Sequence, residues 1–321
     1  MISGVGQPTR QQDRVASLDV IRGFAILGIL VLNIQTFAMP GAAYTNPFAY
    51  GDLTGANYWV WYFSHVLFEM KFNTIFATLY GAGIAFLAMR SDDASALRSR
   101  FYQRSFWLLV FGMIHAYFIW YGDILVNYAI TGMLVFWARN WSAKTLFIVG
   151  FSLILLGMLI TLGAGLSLPS WEEADRIDIA NYWAPPREKM DAEVASYRGG
   201  LIDNFMVRMP ASVMMQTQGY LMLMLWRTAG LMMVGMALVK TGFLLGKLST
   251  GLYVRYLFPG LLIGLPLIIW GTQKNIDVGF SFEYSMFFGM LPNLWCKLRS
   301  LHGHGQLVLT LCFGYACSRT V

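Results

Sequence analysis

Few side chains in this 321-residue chain can do acid–base or anion-binding chemistry, and they fall into distinct groups. In FSHVLFEMKFNTIF, His65 and Glu69 are four apart. A helix places both on one face, where the carboxylate can orient the ring and raise its basicity. A general base uses that geometry, and two interfacial residues also reach it by chance. In GMIHAYFIWYGDILVNYAITG, His115 is followed, across a tight Tyr121–Gly122 turn, by Asp123, Asn127 and Tyr128. His115 reads either as a base oriented by Asp123 or as a packed histidine donating to a helix carbonyl. Arg227 stands inside LMLMLWRTAGLMMVGMALVK, about thirteen residues, or ~20 Å of helix, from its basic flank. A cation at that depth needs a carboxylate, a polar cavity or a ligand anion. Lys71 and Asn127 join it as candidate anion- or substrate-binding residues. Asp19 and Arg22 are three apart and predict a structural ion pair, with Arg22 also able to receive donor phosphates.

These groups sit in a chain built for a bilayer. Hydrophobic residues make up 57%, charged residues 12%, and the mean hydropathy is +0.53, against roughly 25% charged in a soluble domain. The expected fold is all-α: a polytopic transmembrane bundle of about eight to nine spans. Apolar runs predict spans over 18–39, 72–90, 103–121, 123–139, 145–168, 220–240, 252–270 and 279–296, with a short ninth over 305–318. Residues 57–70 read as an interfacial or re-entrant helix, and 1–13 as a polar leader to a retained first helix rather than a cleaved signal peptide. With a cytoplasmic N-terminus, the basic residues Arg90, Arg98, Arg100, Arg104, Arg139, Lys144, Lys240, Lys247, Arg255, Lys297 and Arg299 all fall on the cytoplasmic side. His65, Glu69, His115, Asp123 and Asn127 then collect at the outer face, and such convergence raises the odds of a site. The hydrophilic stretch 170–210 is expected outside, as a lid or a plain linker, with LIDNFMVRMP lying on the surface and re-entering the membrane at Ala211. Glycines 81, 83, 230 and 235 permit close helix approach.

The net charge of +6 comes in short clusters between apolar runs, which excludes a nucleic-acid face and fits membrane retention. No nucleotide-phosphate loop, dinucleotide fingerprint, serine elbow or zinc spacing occurs, and no metal or bound cofactor is expected.

The segments LDVIRGFAILGILVLNI, KFNTIFATLYGAGIAF, FWLLVFGMIHAYFIWYGDILVNYAITG and RTAGLMMVGMALVKTGF, in that order, resemble the DUF418 family of YeiB-like bacterial inner-membrane proteins over roughly residues 14–250. That family resembles, at greater distance, transmembrane acyltransferases in which an L-D-x-x-R-G helix recurs. The resemblance implies a multi-pass protein of the bacterial inner (plasma) membrane. It also implies acyl transfer from a thioester such as acyl-CoA to a hydroxyl or amine of a small-molecule, lipid or glycan acceptor. In that scheme His115, or His65 with Glu69, is the base. Asp123 orients it, and Arg22 and Arg227 hold donor phosphates or offset charge at the thioester oxygen. The alternative is a transporter or exporter of a small or lipid-like anion, although no inverted repeat is evident. Relatives run on past this length, so 1–295 is expected to form the family domain and 296–321 an aberrant tail of a truncated or frameshifted product. The sequence leaves the oligomeric state open.

Overall fold

The computed structural model describes residues 16–292, with side chains from Val20 onward except at Leu257, Pro259 and Gly260. The tail 296–321, its three cysteines, the expected 305–318 span and the Asp19 side chain lie outside the described residues. The chain is a helical bundle whose outside is greasy. On α1 (Ala16–Ala38), Phe24, Leu27, Leu30, Ile34 and Phe37 are all exposed. A water-soluble protein hides such a stripe, whereas a bilayer makes it favourable. Five helical runs among the described residues are long and apolar enough to cross a membrane: Val20–Ala38, Gly55–Met89, Ala143–Ser170, Leu201–Lys240 and Thr250–Asp277.

After α1, a short α2 (Ala42–Thr45) leads to α3 (Gly55–Phe68) and α4 (Lys71–Met89). The segment 57–70 differs from the expected interfacial helix. Ser64 of α3 meets Gln35 near the end of α1, and Phe72 of α4 meets Phe24 and Gly28 half-way along it. Thus α3 and α4 follow each other antiparallel to α1, as two halves of a single broken run. The break is at Met70, a non-glycine residue held at φ 62.

Helix α5 (Ala94–Ile114), started by Asp93 accepting from the Ser95 and Ala96 N–H groups, runs into a π-helical turn over His115–Ile119. Its partner α6 (Leu125–Val135) continues as a 3-10 turn to Asn140. These two occupy the expected 103–121 and 123–139 spans but are not among the five runs. Beyond the 25-residue α7 (Ala143–Ser167), the insertion forms α8 (Glu173–Trp183) and α9 (Arg187–Arg198). Next, α10 (Leu201–Met214) passes through a ten-residue π-helical stretch, Met215–Met224, into α11 (Leu225–Lys240). The surface-lying helix expected at LIDNFMVRMP is therefore the first part of one unbroken run, and its Arg208 is only 8% exposed. Helices α12 (Thr250–Pro259) and α13 (Leu265–Asp277) join through another π turn. The expected 279–296 span is not formed over its described part. Gly279 and Phe280 both take positive φ, and only short turns over Phe282–Ser285 and Phe288–Met290 follow.

Helix α11 is the axis of the bundle, buried from Thr228 to Val239. It packs against α4 where Gly81 faces the Met232 carbonyl and Gly235 faces the Thr78 carbonyl, with no room for a Cβ at either. On its other side Gly230 meets Gly150 of α7. Small residues at these points let backbones touch, and dispersion replaces the missing hydrophobic drive inside lipid. One bundle end is basic: Arg98 lies over Trp137 at 4.7 Å and the Lys240 ammonium donates to the Trp141 carbonyl at 2.8 Å. The other end is covered by the insertion. Glu193 accepts from the Gly41 N–H at 2.9 Å, Asn46 donates to the Trp183 carbonyl, and the Trp183 indole donates to the Phe280 carbonyl at 2.8 Å.

Candidate functional site

At the covered end, His115 and Asp123 form a close, partly buried pair. The His115 Nδ1 lies 2.7 Å from Asp123 Oδ2, and the other carboxylate oxygen accepts from the Val126 N–H at 2.8 Å. The local sequence explains the geometry. Gly112 lets α5 approach the start of α6, since a Cβ there would sit 2.8 Å from the Val126 nitrogen. The π turn then swings the chain round so that Asp123 reaches both the ring and the first turn of α6. The aspartate side chain is 2% exposed and the histidine 32%. The tautomer that a carboxylate acceptor favours carries its proton on Nδ1 and leaves the lone pair on Nε2, the disposition of a general base held by a buried acid.

The sequence-predicted His65–Glu69 pair is not made. The helix ends at Phe68 and Glu69 leaves helical geometry, so the four-residue spacing no longer shares a face. His65 stacks on Trp61, with ring centroids 4.9 Å apart, while the Tyr44 hydroxyl donates to Glu69 at 3.2 Å. Glu69 instead belongs to a second cluster at the α3–α4 break. Lys71 Nζ donates to the Glu69 carbonyl at 3.2 Å, and Arg227 reaches in from α11 to the Met70 thioether at 2.8 Å. Its Nε has no hydrogen-bond partner among the described residues, and no carboxylate oxygen there lies within 4 Å of it. Glu69, Tyr44 and Tyr128 are its near electrostatic neighbours. The break therefore gathers two cations, one carboxylate and the N-terminus of α4 deep in an apolar bundle, a set that favours an added anion.

Asn127, expected as a substrate contact, is held in a buried hydrogen-bond chain. Its amide donates to Thr228 at 3.1 Å and accepts from Thr131, whose hydroxyl also meets that of Tyr220 at 3.1 Å. This buried chain ties α6 to α11 and to the π stretch. Thr131→Val is expected to cost about 1–3 kcal/mol in thermal unfolding of the detergent-solubilised protein, because it strands two buried polar groups. An unchanged midpoint would mean that the chain is not needed for stability. Arg22 is partly buried on α1, and the Asp19–Arg22 pairing lies outside what is described. Sequence reasoning missed Tyr44, which follows α1 in AAYT, and Arg208, whose neighbours come from distant segments. Around the insertion, burial first and then Glu193 hold the Tyr182 and Tyr197 phenols above the ordinary tyrosine range. Both remain hydrogen-bond donors at neutral pH. Among the described residues no cluster of histidine, cysteine and carboxylates could hold a metal.

No protein-family model matches the chain, and no solved structure matches it. Three bacterial proteins do. It is 32% identical over 289 residues to the uncharacterised protein YeiB of Escherichia coli K12, covering 87% of this chain and 70% of that protein. It is 32% identical over 160 residues to the uncharacterised protein YxaH of Bacillus subtilis, covering 47% of this chain and 39% of that one. The third, an uncharacterised 39.9 kDa protein encoded in an amylase 3′ region of Bacillus acidopullulyticus, is 32% identical over 135 residues, 40% of this chain and 35% of its own length. Apolar runs of membrane length and similarity on this scale together make this chain a bacterial multi-pass membrane protein of the YeiB family.

Proposed function

We propose that this protein is a membrane-embedded transferase that moves an acyl group from a thioester donor, such as acyl-CoA, to a hydroxyl or amine of a lipid- or glycan-borne acceptor. The observation that carries this reading is the His115–Asp123 pair. In the proposed reaction His115 Nε2 removes the acceptor proton while the acceptor oxygen or nitrogen attacks the thioester carbonyl. The C–S bond then breaks, and the leaving thiolate takes the proton back from the imidazolium, which Asp123 has stabilised meanwhile. Arg227 and Lys71 would hold an anionic part of the donor or offset charge on the carbonyl oxygen. The protein sits in the inner membrane with its N-terminus and basic bundle end in the cytoplasm and the insertion outside, the arrangement the positive-inside rule favours.

The α3–α4 break beside Arg227 favours a second reading, transport of a small or lipid-like anion, because broken helices at depth are where transporters bind their cargo. One set of experiments separates the two. In a cysteine-free background, single cysteines at the exposed positions Asp52 and Ala192 are expected to react with impermeant reagents from outside, and one at Ser142 only from the cytoplasm. Labelling of Ala192 from the cytoplasm would overturn the outward placement of the site. Cells overproducing the wild-type chain should then accumulate an acylated lipid or glycan, seen by mass spectrometry, that His115→Ala cells lack. Loss of anion flux in Arg227→Gln but not in His115→Ala would instead establish transport.

A further inference from the structure

The face of α10 and of the π stretch after it that is turned into the bundle carries a second group of charged and polar side chains that the His115 mechanism does not use. Arg208, Ser212 and Gln216 follow one another at four-residue intervals and all lie against the π turn after His115. Arg208 Nη1 donates to the Tyr117 carbonyl at 3.4 Å, Ser212 donates to the Ala116 carbonyl at 2.7 Å, and the Tyr117 hydroxyl donates to Gln216 Oε1 at 3.3 Å. Ser212 is thus satisfied, and the other two are not. Arg208 is 8% exposed, its Nε–H finds no acceptor, and the Gln216 amide nitrogen is likewise buried with none. The Trp120 indole N–H, three residues beyond Tyr117, is a third unmatched donor from the same turn.

The balance is one-sided. Every unmatched atom here is a donor, one belongs to a permanent cation, and among the described residues no carboxylate oxygen lies within 4 Å of Arg208. Glu193 of the insertion has an oxygen accepting from the Gly41 N–H, and the Tyr197 phenol stands beside Arg208. Buried cations are retained in membrane proteins where something neutralises them. An oxyanion does so by accepting from a guanidinium and an amide at once. The depth fits as well. Arg208 is seven residues into the run that begins at Leu201, about 10 Å of helix below the covered end. On the opposite face of α10, Met206, Met209 and Val213 are exposed, as lipid-facing residues are.

We propose that Arg208 and Gln216 form a binding site for a single phosphate-type oxyanion, set against the Tyr117 turn and separate from the Arg227 cluster. Its source is either the phosphodiester of an anionic lipid headgroup or free phosphate, and the site does not depend on His115 being a base.

The test uses the full chain. Purified protein is titrated with inorganic phosphate in detergent by calorimetry, and in parallel it is reconstituted in nanodiscs of phosphatidylcholine with or without phosphatidylglycerol and scored for retained lipid by native mass spectrometry. The expected result is binding in one arm, weakened at least tenfold by Arg208→Gln and by Gln216→Leu, with Arg208→Lys partly active. Phosphate binding identifies a soluble anion, and selective retention of phosphatidylglycerol identifies a lipid. Gln216→Leu leaves the charge in place and carries the test if Arg208→Gln does not fold. The variants also separate ligand binding from simple packing. With phosphate and anionic lipid removed, Arg208→Gln should melt no lower than wild type, since it deletes an uncompensated buried cation. No binding in either arm, or binding that both variants keep, would overturn the site.

Discussion

Replacing Gly81 with alanine is expected to cost about 3 kcal/mol or more, while the same change at Gly83 is neutral or slightly stabilising. Both glycines lie on α4, two residues apart, and both add one methyl group. A Cβ at Gly81 would overlap the Met232 backbone carbonyl of α11, and one at Gly83 meets nothing within 4 Å. The obstacle at Gly81 is backbone, so no rotamer change relieves it. The two helices must separate, and they are tied again at Gly235 against the Thr78 carbonyl and, through α11, at Gly230 against Gly150. Separation therefore loosens contacts along α11 as a whole, the helix on which Arg227 and Thr228 are mounted. At Gly83 the only change is in helix propensity, where alanine gains up to about 1 kcal/mol. Thermal unfolding in detergent and the yield of monodisperse protein report both effects. A Gly81→Ala protein as stable as wild type would mean that the α4–α11 crossing is wider than the structure has it.

The helices most legible in the sequence were those whose boundaries coincide with a loss of hydropathy. Apolar runs predict spans at 18–39, 72–90 and 145–168, and the structure has Ala16–Ala38, Lys71–Met89 and Ala143–Ser167. Tertiary decisions were hidden. Nothing in FEMKF marks Met70 as the residue to take φ 62, because local preference opposes it and only the packing of both halves along α1 enforces it. That break also removed the His65–Glu69 pair, which rested on helix continuing through residue 69. Arg208 was invisible for a related reason. LIDNFMVRMP reads as amphipathic and exposed, yet the acceptor for its arginine is the Tyr117 carbonyl, 91 residues away. The His115–Asp123 pair was readable because both residues flank one short turn, so their meeting needed only local geometry.

That pair supplies the sharpest functional test. His115→Ala is expected to reduce acyl transfer about 10²- to 10⁴-fold, the contribution of a positioned general base. Asp123→Asn should also reduce it severely, with the loss in kcat rather than KM. The asparagine is nearly isosteric and can still accept from the Val126 N–H through its carbonyl oxygen, so the start of α6 stays capped. Its amide nitrogen then faces His115 Nδ1 and can only donate. The ring is driven to the opposite tautomer, with the proton on Nε2 where the lone pair is required. If Asp123 served only to cap α6 and His115 only to pack against Trp120, Asp123→Asn would leave both the melting temperature and turnover unchanged. An alanine at 123 cannot make this distinction, since it removes the cap and the ring partner together. Preserved stability with lost turnover in Asp123→Asn therefore isolates the orientation of the imidazole as what the reaction needs, and it does so without any assumption about which acceptor is acylated.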